Sequence, residues 1–271
     1  MAELKNKDHL FVIKIGGNII DDPGALTAFL KEFAIIGGKK ILVHGGGKIA
    51  TQIGEKLGIV SNYVNGRRIT DEATIDLVTM VYGGLINKKI IAQLQALGCN
   101  AIGLTGADAN IIPAVRRPVR EIDYGFAGDV DNDQLSRLGG THLRRFLAHS
   151  LTPVIAPLTH DGKGQILNTN ADTIASSLSV ALSRYYSVRL MYCFGKKGVL
   201  RNIADEGSVI HDMDDKAYKE LLAAGVLSEG ILPKLENAFD AIRHGVKGVL
   251  IGHAADLLQN TGDNVSGTLI R

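Results

Sequence analysis

The run Phe11-Val12-Ile13-Lys14-Ile15-Gly16-Gly17 and its echo, Lys40-Ile41-Leu42-Val43-His44-Gly45-Gly46-Gly47-Lys48, decide how this chain folds. Each is an apolar, β-rich segment that ends at once in glycines. Such a run reads as a strand buried on both faces, the pattern of a parallel α/β sheet. Glycines directly after the strand uncover backbone N–H groups beside the start of a helix, where an anion is held. Lys14, inside the end of the first strand, costs free energy unless it meets a permanent negative charge. The plainer reading of each cluster is a tight βα turn, with a lysine that snorkels to water. Two clusters at equivalent strand ends favour a site, since ligands of open parallel sheets collect beyond the carboxyl ends of the strands.

Working outward, Asp21-Asp22-Pro23 starts a helix whose Leu26, Phe29, Leu30 and Phe33 share a face, and Gly37-Gly38 stops it. A second helix through Ile49, Ile53 and Leu57 follows the second glycine cluster and completes a βαβ unit. Asn65-Gly66 marks a hairpin, so residues 63–71 are expected to project as a two-stranded flap. Thr70 or Asp71 then caps a long helix running to about Leu97. An arginine at the base of a flap suits bidentate recognition of a carboxylate, and Arg68 or Arg67 is the candidate; a solvated hairpin arginine is the plainer alternative.

Ala101 to Leu104 is a further strand. Residues 111–130 read as short edge strands, confined there by Pro113 and Pro118. A helix is expected near Asp131 to Ser150, then a buried strand at Pro153 to Pro157 and a turn at Asp161-Gly162-Lys163-Gly164. Asn168-Thr169-Asn170-Ala171-Asp172-Thr173 opens the next helix with more polar groups than one cap requires. An ordinary cap with Asx turns competes with a sharper reading, in which Asn168 and Asn170 bind a polar ligand and Asp172 holds lysines in place. Val188 to Cys193 forms a strand, and Gly195-Lys196-Lys197-Gly198 a basic turn. Leu232-Pro233-Lys234 opens a late helix before the final strands.

The 271 residues, 45% hydrophobic and 21% charged, suffice for a large core, and a formal net charge of +2 supplies no broad field for nucleic acid. Small-molecule ligands are expected. Cys99 and Cys193 form no CxxC, and no apolar stretch reaches the ~18 residues of a membrane span, so a reduced, cytoplasmic protein is expected. The sequence lacks GxxxxGK[ST], GxSxG and HExxH, which removes the P-loop, the nucleophile elbow and the zinc hydrolase. Gly45 to Ala50 satisfies the loose dinucleotide pattern GxGxxA. The acid it calls for about 20 residues on should end a strand, whereas Asp71 and Glu72 begin a helix, and this leaves a dehydrogenase the weaker reading.

Five motifs in this order, Lys14-Ile15-Gly16-Gly17, Val43-His44-Gly45-Gly46-Gly47, Asn65 to Thr70, Asn168 to Asp172 and Pro233-Lys234, resemble the amino-acid kinase family, specifically its branch that phosphorylates N-acylated glutamate. The resemblance covers nearly the whole chain. It implies one catalytic domain, an α/β fold with an open, mostly parallel sheet between helices in three layers. It also implies two lobes, about 1–183 for the acceptor and dimerisation and about 184–271 for the nucleotide. Lys14 and Lys234 would neutralise the transferring phosphoryl group, with Asp172 orienting both. Gly46 and Gly47 would donate N–H groups to it, with Gly16 and Gly17 beside them. Arg68, Asn168 and Asn170 would hold the acceptor, and Gly195, Lys196, Lys197, Gly198 and Gly230 the nucleotide. ATP accompanied by Mg²⁺ would be the phosphoryl donor, and no residue is named as a metal ligand.

The implied reaction is phosphorylation of the γ-carboxylate of N-acetyl-L-glutamate, as in arginine biosynthesis, with N-succinylglutamate as the alternative acceptor. A sensor of weak activity on the same fold is the reading from another class. Departures from the family pattern lie on the nucleotide side: Phe194-Gly195-Lys196 replaces a triplet that carries aspartate, and Ala107 and Ile231 stand where lysine and methionine are common. The relatives inhibited by arginine carry an extra helix before the first strand, where about eight residues stand here, so a homodimer is expected over a hexamer.

Overall fold

The computed structural model describes residues 7–202, 204–227 and 231–271. One sheet contains β1 (His9–Ile15), β2 (Lys39–His44), β3 (Ala101–Leu104), β4 (Thr152–Ile155), β5 (Ser187–Phe194), β6 (Asp212–Met213), β7 (Gly248–His253) and β8 (Thr268–Ile270). Their order across it is β6-β8-β7-β5-β1-β2-β4-β3. Neighbours run parallel except β7 and β8. The main helices are α1 (Pro23–Ile35), α2 (Gly47–Lys56), α3 (Glu72–Val78), α4 (Asn87–Ala96), α5 (Gly140–Ala148), α6 (Ala171–Ser183), α7 (Asp215–Ala223) and α8 (Leu232–Arg243). The open, mostly parallel sheet between helices is therefore the fold of this chain.

The alternation of a strand divides the interior into two cores, one on each face of the sheet. Leu10 and Val12 of β1, Ile41 and Val43 of β2, and Leu190 and Tyr192 of β5 meet Ile174 and Leu178 of α6 and Leu235 and Ala238 of α8. Ile13, Ile15, Leu42 and Met191 face the opposite way, onto Phe29, Leu30 and Phe33 of α1 and Ile90 and Leu94 of α4. Lys14 shares its parity with Leu10 and Val12. Its ammonium is thus delivered to the α6 and α8 side, at the carboxyl end of the central strand.

Local chemistry sets the element ends. The Asp22 carboxylate accepts from the N–H groups of Gly24 and Ala25 and caps α1. Asp71 caps α3 by accepting from the Thr74 N–H at 2.8 Å. The flap is a hairpin of Tyr63–Val64 and Arg67–Arg68, turned by Asn65 at φ 50° and Gly66 at φ 72°, the positive pair of a type I′ turn. Edge hairpins Ala114–Arg116 with Gly128–Val130 and Leu158–His160 with Ile166–Asn168 also form as the sequence indicates.

The structure corrects two expectations and adds one helical turn. The long helix after the flap carries a π-helical stretch at Thr79–Ile86, between α3 and α4. Its buried residues, Val81, Tyr82 and Ile86, stand four and five apart, a spacing that the wider turn gathers onto one face. The helix expected near Asp131 to Ser150 has a similar stretch at Leu135–Gly139, where a Cβ on Gly139 would lie 2.1 Å from the Ile111 carbonyl oxygen. A helical turn at Gly17–Ile20 precedes α1, started by the N–H groups of Ile19 and Ile20 donating to Gly16 O.

Candidate active site

The carboxylate of Asp172 is gripped from two sides. Lys14 Nζ stands 2.6 Å from Oδ1, and Lys234 Nζ stands 2.6 Å from Oδ2. Strand β1 supplies Lys14, the second position of α6 supplies Asp172, and the first turn of α8 supplies Lys234. The α6 dipole favours a carboxylate at that place. Tyr192, level with Lys14 on β5, donates its hydroxyl to the Asp172 backbone oxygen at 3.3 Å, and its ring lies 5.8 Å from the Lys234 ammonium. Burial pushes the Asp172 carboxyl up, but the two ammonium groups outweigh it and hold it below its usual range. A carboxylate so stabilised in its ionised form is a poor proton acceptor and a good anchor for two lysines. The cluster carries one net positive charge and keeps ammonium hydrogens free for a further anion.

A cavity of about 210 Å³, lined by Gly45, Gly46, Gly47, the flap, Asn168, Asn170 and Ala171, reaches the residue before Asp172, although the three charged side chains are not part of its lining. Gly46 takes φ +147°, and a Cβ there would lie 2.3 Å from Ile86 Cδ1, so only glycine fits. Gly45 N–H donates to Ile15 O at 3.2 Å and ties the second glycine cluster to the first. On the first cluster, a Cβ on Gly16 would sit 3.9 Å from Lys14 Nζ, which places Gly16 beside the lysine, whereas a Cβ on Gly17 would meet Asp21 Oδ2 at 3.3 Å.

Arg68 is 6% exposed, not a solvated hairpin side chain. Its guanidinium donates to Gly47 O at 2.7 Å, to Thr51 Oγ1 at 3.0 Å and to Ser61 Oγ, and it lies over the Tyr63 ring. The flap is thereby fastened to the start of α2. Asn168 Nδ2 donates to Thr70 Oγ1 at 3.0 Å. Asn170 lines the same cavity, yet its Oδ1 accepts from the N–H groups of Asp172 and Thr173, so the cap reading holds for that oxygen.

The basic turn stands apart from the cavity. Gly195, Lys196 and Lys197 are exposed at the end of β5, and Lys196 pairs with Glu206 at 3.6 Å. A Cβ on Gly195 would be 3.8 Å from Asn18 Nδ2, which sets the turn against Gly17–Ile20. Gly198 is buried for packing, since a Cβ would meet Thr268 Oγ1 at 2.7 Å. Gly230 lies outside the described residues.

Three residues of the site have no signal that sequence reasoning used. Tyr63 and Tyr82 line the cavity, and both hydroxyls lie near Gly47. Arg117 lines it too and is paired with Asp129. It sits in the edge segment read only for its prolines. Among the described residues, no three His, Cys, Asp or Glu side chains converge as a metal cage. Asp172, the one carboxylate at the centre, is already occupied by the lysines.

Residues 9–253 match the model of the amino acid kinase family. The chain belongs to that family. Among curated amino acid kinases, the acetylglutamate kinase of Cytophaga hutchinsonii is 54% identical over 256 residues, covering 94% of this chain and 95% of that one. The acetylglutamate kinase of Bacteroides thetaiotaomicron is 51% identical over 259 residues, covering 96% and 99%. Among solved structures, smu.665 from Streptococcus mutans superposes with a TM-score of 0.74 at 28% identity, over 96% of this chain and 98% of that one.

Proposed function

We propose that the protein transfers the γ-phosphoryl group of ATP to the γ-carboxylate of N-acetyl-L-glutamate, giving the acyl phosphate and ADP, in arginine biosynthesis. The observation that carries this reading is the meeting of Lys14 and Lys234 on Asp172, each at 2.6 Å, directly after Asn170 and Ala171, which line a cavity with glycines and arginines. The relatives named acetylglutamate kinase, about half identical over nearly the whole chain, supply the acceptor.

The chemistry asks for this arrangement. A γ-carboxylate with an ordinary pKa of about 4.3 is ionised at neutral pH and needs no general base. One of its oxygens forms a bond to the γ-phosphorus while the bond to the bridging oxygen breaks, and ADP leaves. The obstacle is repulsion between two anions, together with charge that spreads over the phosphoryl oxygens in the transition state. Lys14 and Lys234 neutralise those oxygens, and Asp172 fixes both ammonium groups. Gly46 and Gly47 add N–H donors at the start of α2, with Gly16 and Gly17 beside them. Arg68 and Asn168 hold the α-carboxylate and amide end of the acceptor, and Asn170 keeps α6 capped at the rim. The turn of Gly195, Lys196, Lys197 and Gly198, with Gly230, takes the nucleotide in the part from about residue 184 onward. Mg²⁺ accompanying ATP would supply further neutralisation of the nucleotide's phosphates.

Exposed Met80 and Leu85 on the helix after the flap support a homodimer, and the enzyme is placed in the cytoplasm, where the free thiols of Cys99 and Cys193 would stay reduced; no described helix is long and apolar enough to cross a membrane. A second reading has its own support. Arg67 and Arg117 line the same cavity as Arg68, and a further carboxylate on the acyl group, as in N-succinylglutamate, would find cations there. ATP consumption measured in parallel with glutamate, N-acetylglutamate, N-succinylglutamate and aspartate tests both. Turnover confined to one N-acylated glutamate is expected; no turnover with either sinks the proposal.

A further inference from the structure

His44 and Asn87 are buried polar residues to which the mechanism above gives no task. His44 ends β2, directly before the three glycines, and is fully buried. Its Nδ1 lies 2.8 Å from Gly45 O, and its Nε2 lies 3.2 Å from Asn87 Nδ2. Asn87, only 1% exposed, begins α4 where the π-helical stretch ends. Its Nδ2 also reaches Val154 O at 3.0 Å, and its Oδ1 lies 3.2 Å from Lys88 Nζ.

The protons in this chain of contacts can be assigned by elimination. Val154 O only accepts and an ammonium only donates, so the amide of Asn87 faces the carbonyl with nitrogen and the lysine with oxygen. That same nitrogen donates to Nε2, which therefore carries the lone pair. The ring proton of a neutral His44 must then sit on Nδ1 and is donated to Gly45 O. Burial, aided by the charge of Lys88 and opposed by the bond to Gly45, pushes the imidazole down to about 4, which keeps it neutral at physiological pH.

In a planar trans peptide the C=O of residue 45 and the N–H of residue 46 point in opposite directions. With the carbonyl turned down onto the buried ring, the Gly46 N–H turns up, on the side where Gly46 lines the cavity. Ile86 closes the other flank of Gly46. We infer that His44, locked in one tautomer by Asn87, is a positioning residue that aims the Gly46 N–H at the transferring phosphoryl group. The inference rests on the phosphoryl-transfer reading above and adds to it two residues that touch neither substrate. It also explains why a histidine is useful at the end of a buried strand: a side chain that can only accept would leave the Gly45 carbonyl unbound.

A long-range ¹⁵N–¹H spectrum of histidine-labelled protein at neutral pH, with His44 assigned by its loss in His44→Asn, reads the tautomer directly. Protonated Nδ1 and bare Nε2 are expected; a ring protonated on Nε2 overturns the inference, whatever the variants do. Kinetics supply the second arm. His44→Leu is expected to lower kcat by about 100-fold with acceptor KM within about threefold, because one aimed donor is lost. His44→Asn, whose amide nitrogen overlays Nδ1, should recover most of that kcat. Equal kcat for the two variants contradicts the inference. Absence of turnover in the wild type would remove the phosphoryl-transfer reading itself, whereas wild-type turnover with an Nε2-protonated ring removes only the role of His44.

Discussion

Strands β1 and β5 lie side by side and end at the same edge of the sheet, but what they present there differs in kind. At the end of β1, Lys14 and its partner Asp172 have side chains only 15% and 17% exposed, 2.6 Å apart. At the end of β5, Lys196 and Glu206 are 49% and 64% exposed, 3.6 Å apart. Two ammonium groups crowded onto one buried carboxylate more than offset its desolvation and leave one net positive charge, which becomes useful when a second anion arrives. A pair in water contributes between nothing and about 1 kcal/mol. The difference separates a buried charge cluster locked by its neighbours from a solvated pair on the turn proposed for the nucleotide.

The comparison can be broken first at its strong end. Lys14→Ala is expected to lower kcat by about 100- to 1,000-fold with the fold retained, read by steady-state kinetics beside circular dichroism. A kcat near wild type would erase the contrast between the two strand ends. Acid should separate the interior from the surface next. Above pH 6.5 His44 is neutral in both the folded and the unfolded chain. As pH falls from 6.5 towards the folded value of about 4, the unfolded chain takes up a proton that the folded one refuses, so stability is lost. The loss approaches about 3 kcal/mol by pH 4. The lowered carboxyl of Asp172 acts in the same direction at lower pH, its stabilisation fading as it is protonated. Urea unfolding at pH 7 and pH 4.5 should show His44→Asn losing less stability than wild type, and parallel losses would count against the buried neutral ring.

Smaller effects sharpen the contrast. Removing Arg68 takes away charged hydrogen bonds worth about 1.5–3 kcal/mol each, so Arg68→Ala should raise the acceptor KM by roughly 10- to 100-fold with less change in kcat. A kcat effect larger than the KM effect would move Arg68 from holding the acceptor to the chemical step. Lys196→Ala should change the KM for ATP by less than about fivefold, in line with an exposed pair. A larger change would promote the turn to a dedicated phosphate contact.

The fold was legible because its signals are local. Apolar runs that end in glycine, the Asp22 and Asp71 caps and the Asn65-Gly66 turn each determine a few residues by backbone sterics and hydrogen bonding, and the sheet follows from their order. Lys14, Asp172 and Lys234 were legible for a different reason, since ordered motifs along the chain resemble one family. What sequence could not show is contact between distant elements. The π-helical stretch at Thr79–Ile86 depends on how Tyr82 and Ile86 pack against Gly46, a tertiary relation that helical periodicity does not encode. Arg117 reaches the cavity from an edge hairpin whose prolines were its visible feature. Asn170, read both as a cap and as a ligand, caps α6 with its oxygen while the residue also lines the cavity.

The central claim is that Lys14 and Lys234 act as one unit through Asp172, and a double-mutant cycle on kcat tests it most directly. Lys14→Ala, Lys234→Ala and the double variant are measured with ATP and N-acetyl-L-glutamate. If the two ammonium groups serve one transition state, the double variant falls little below the weaker single variant. Losses that simply multiply, or single variants that turn over like wild type, would contradict it.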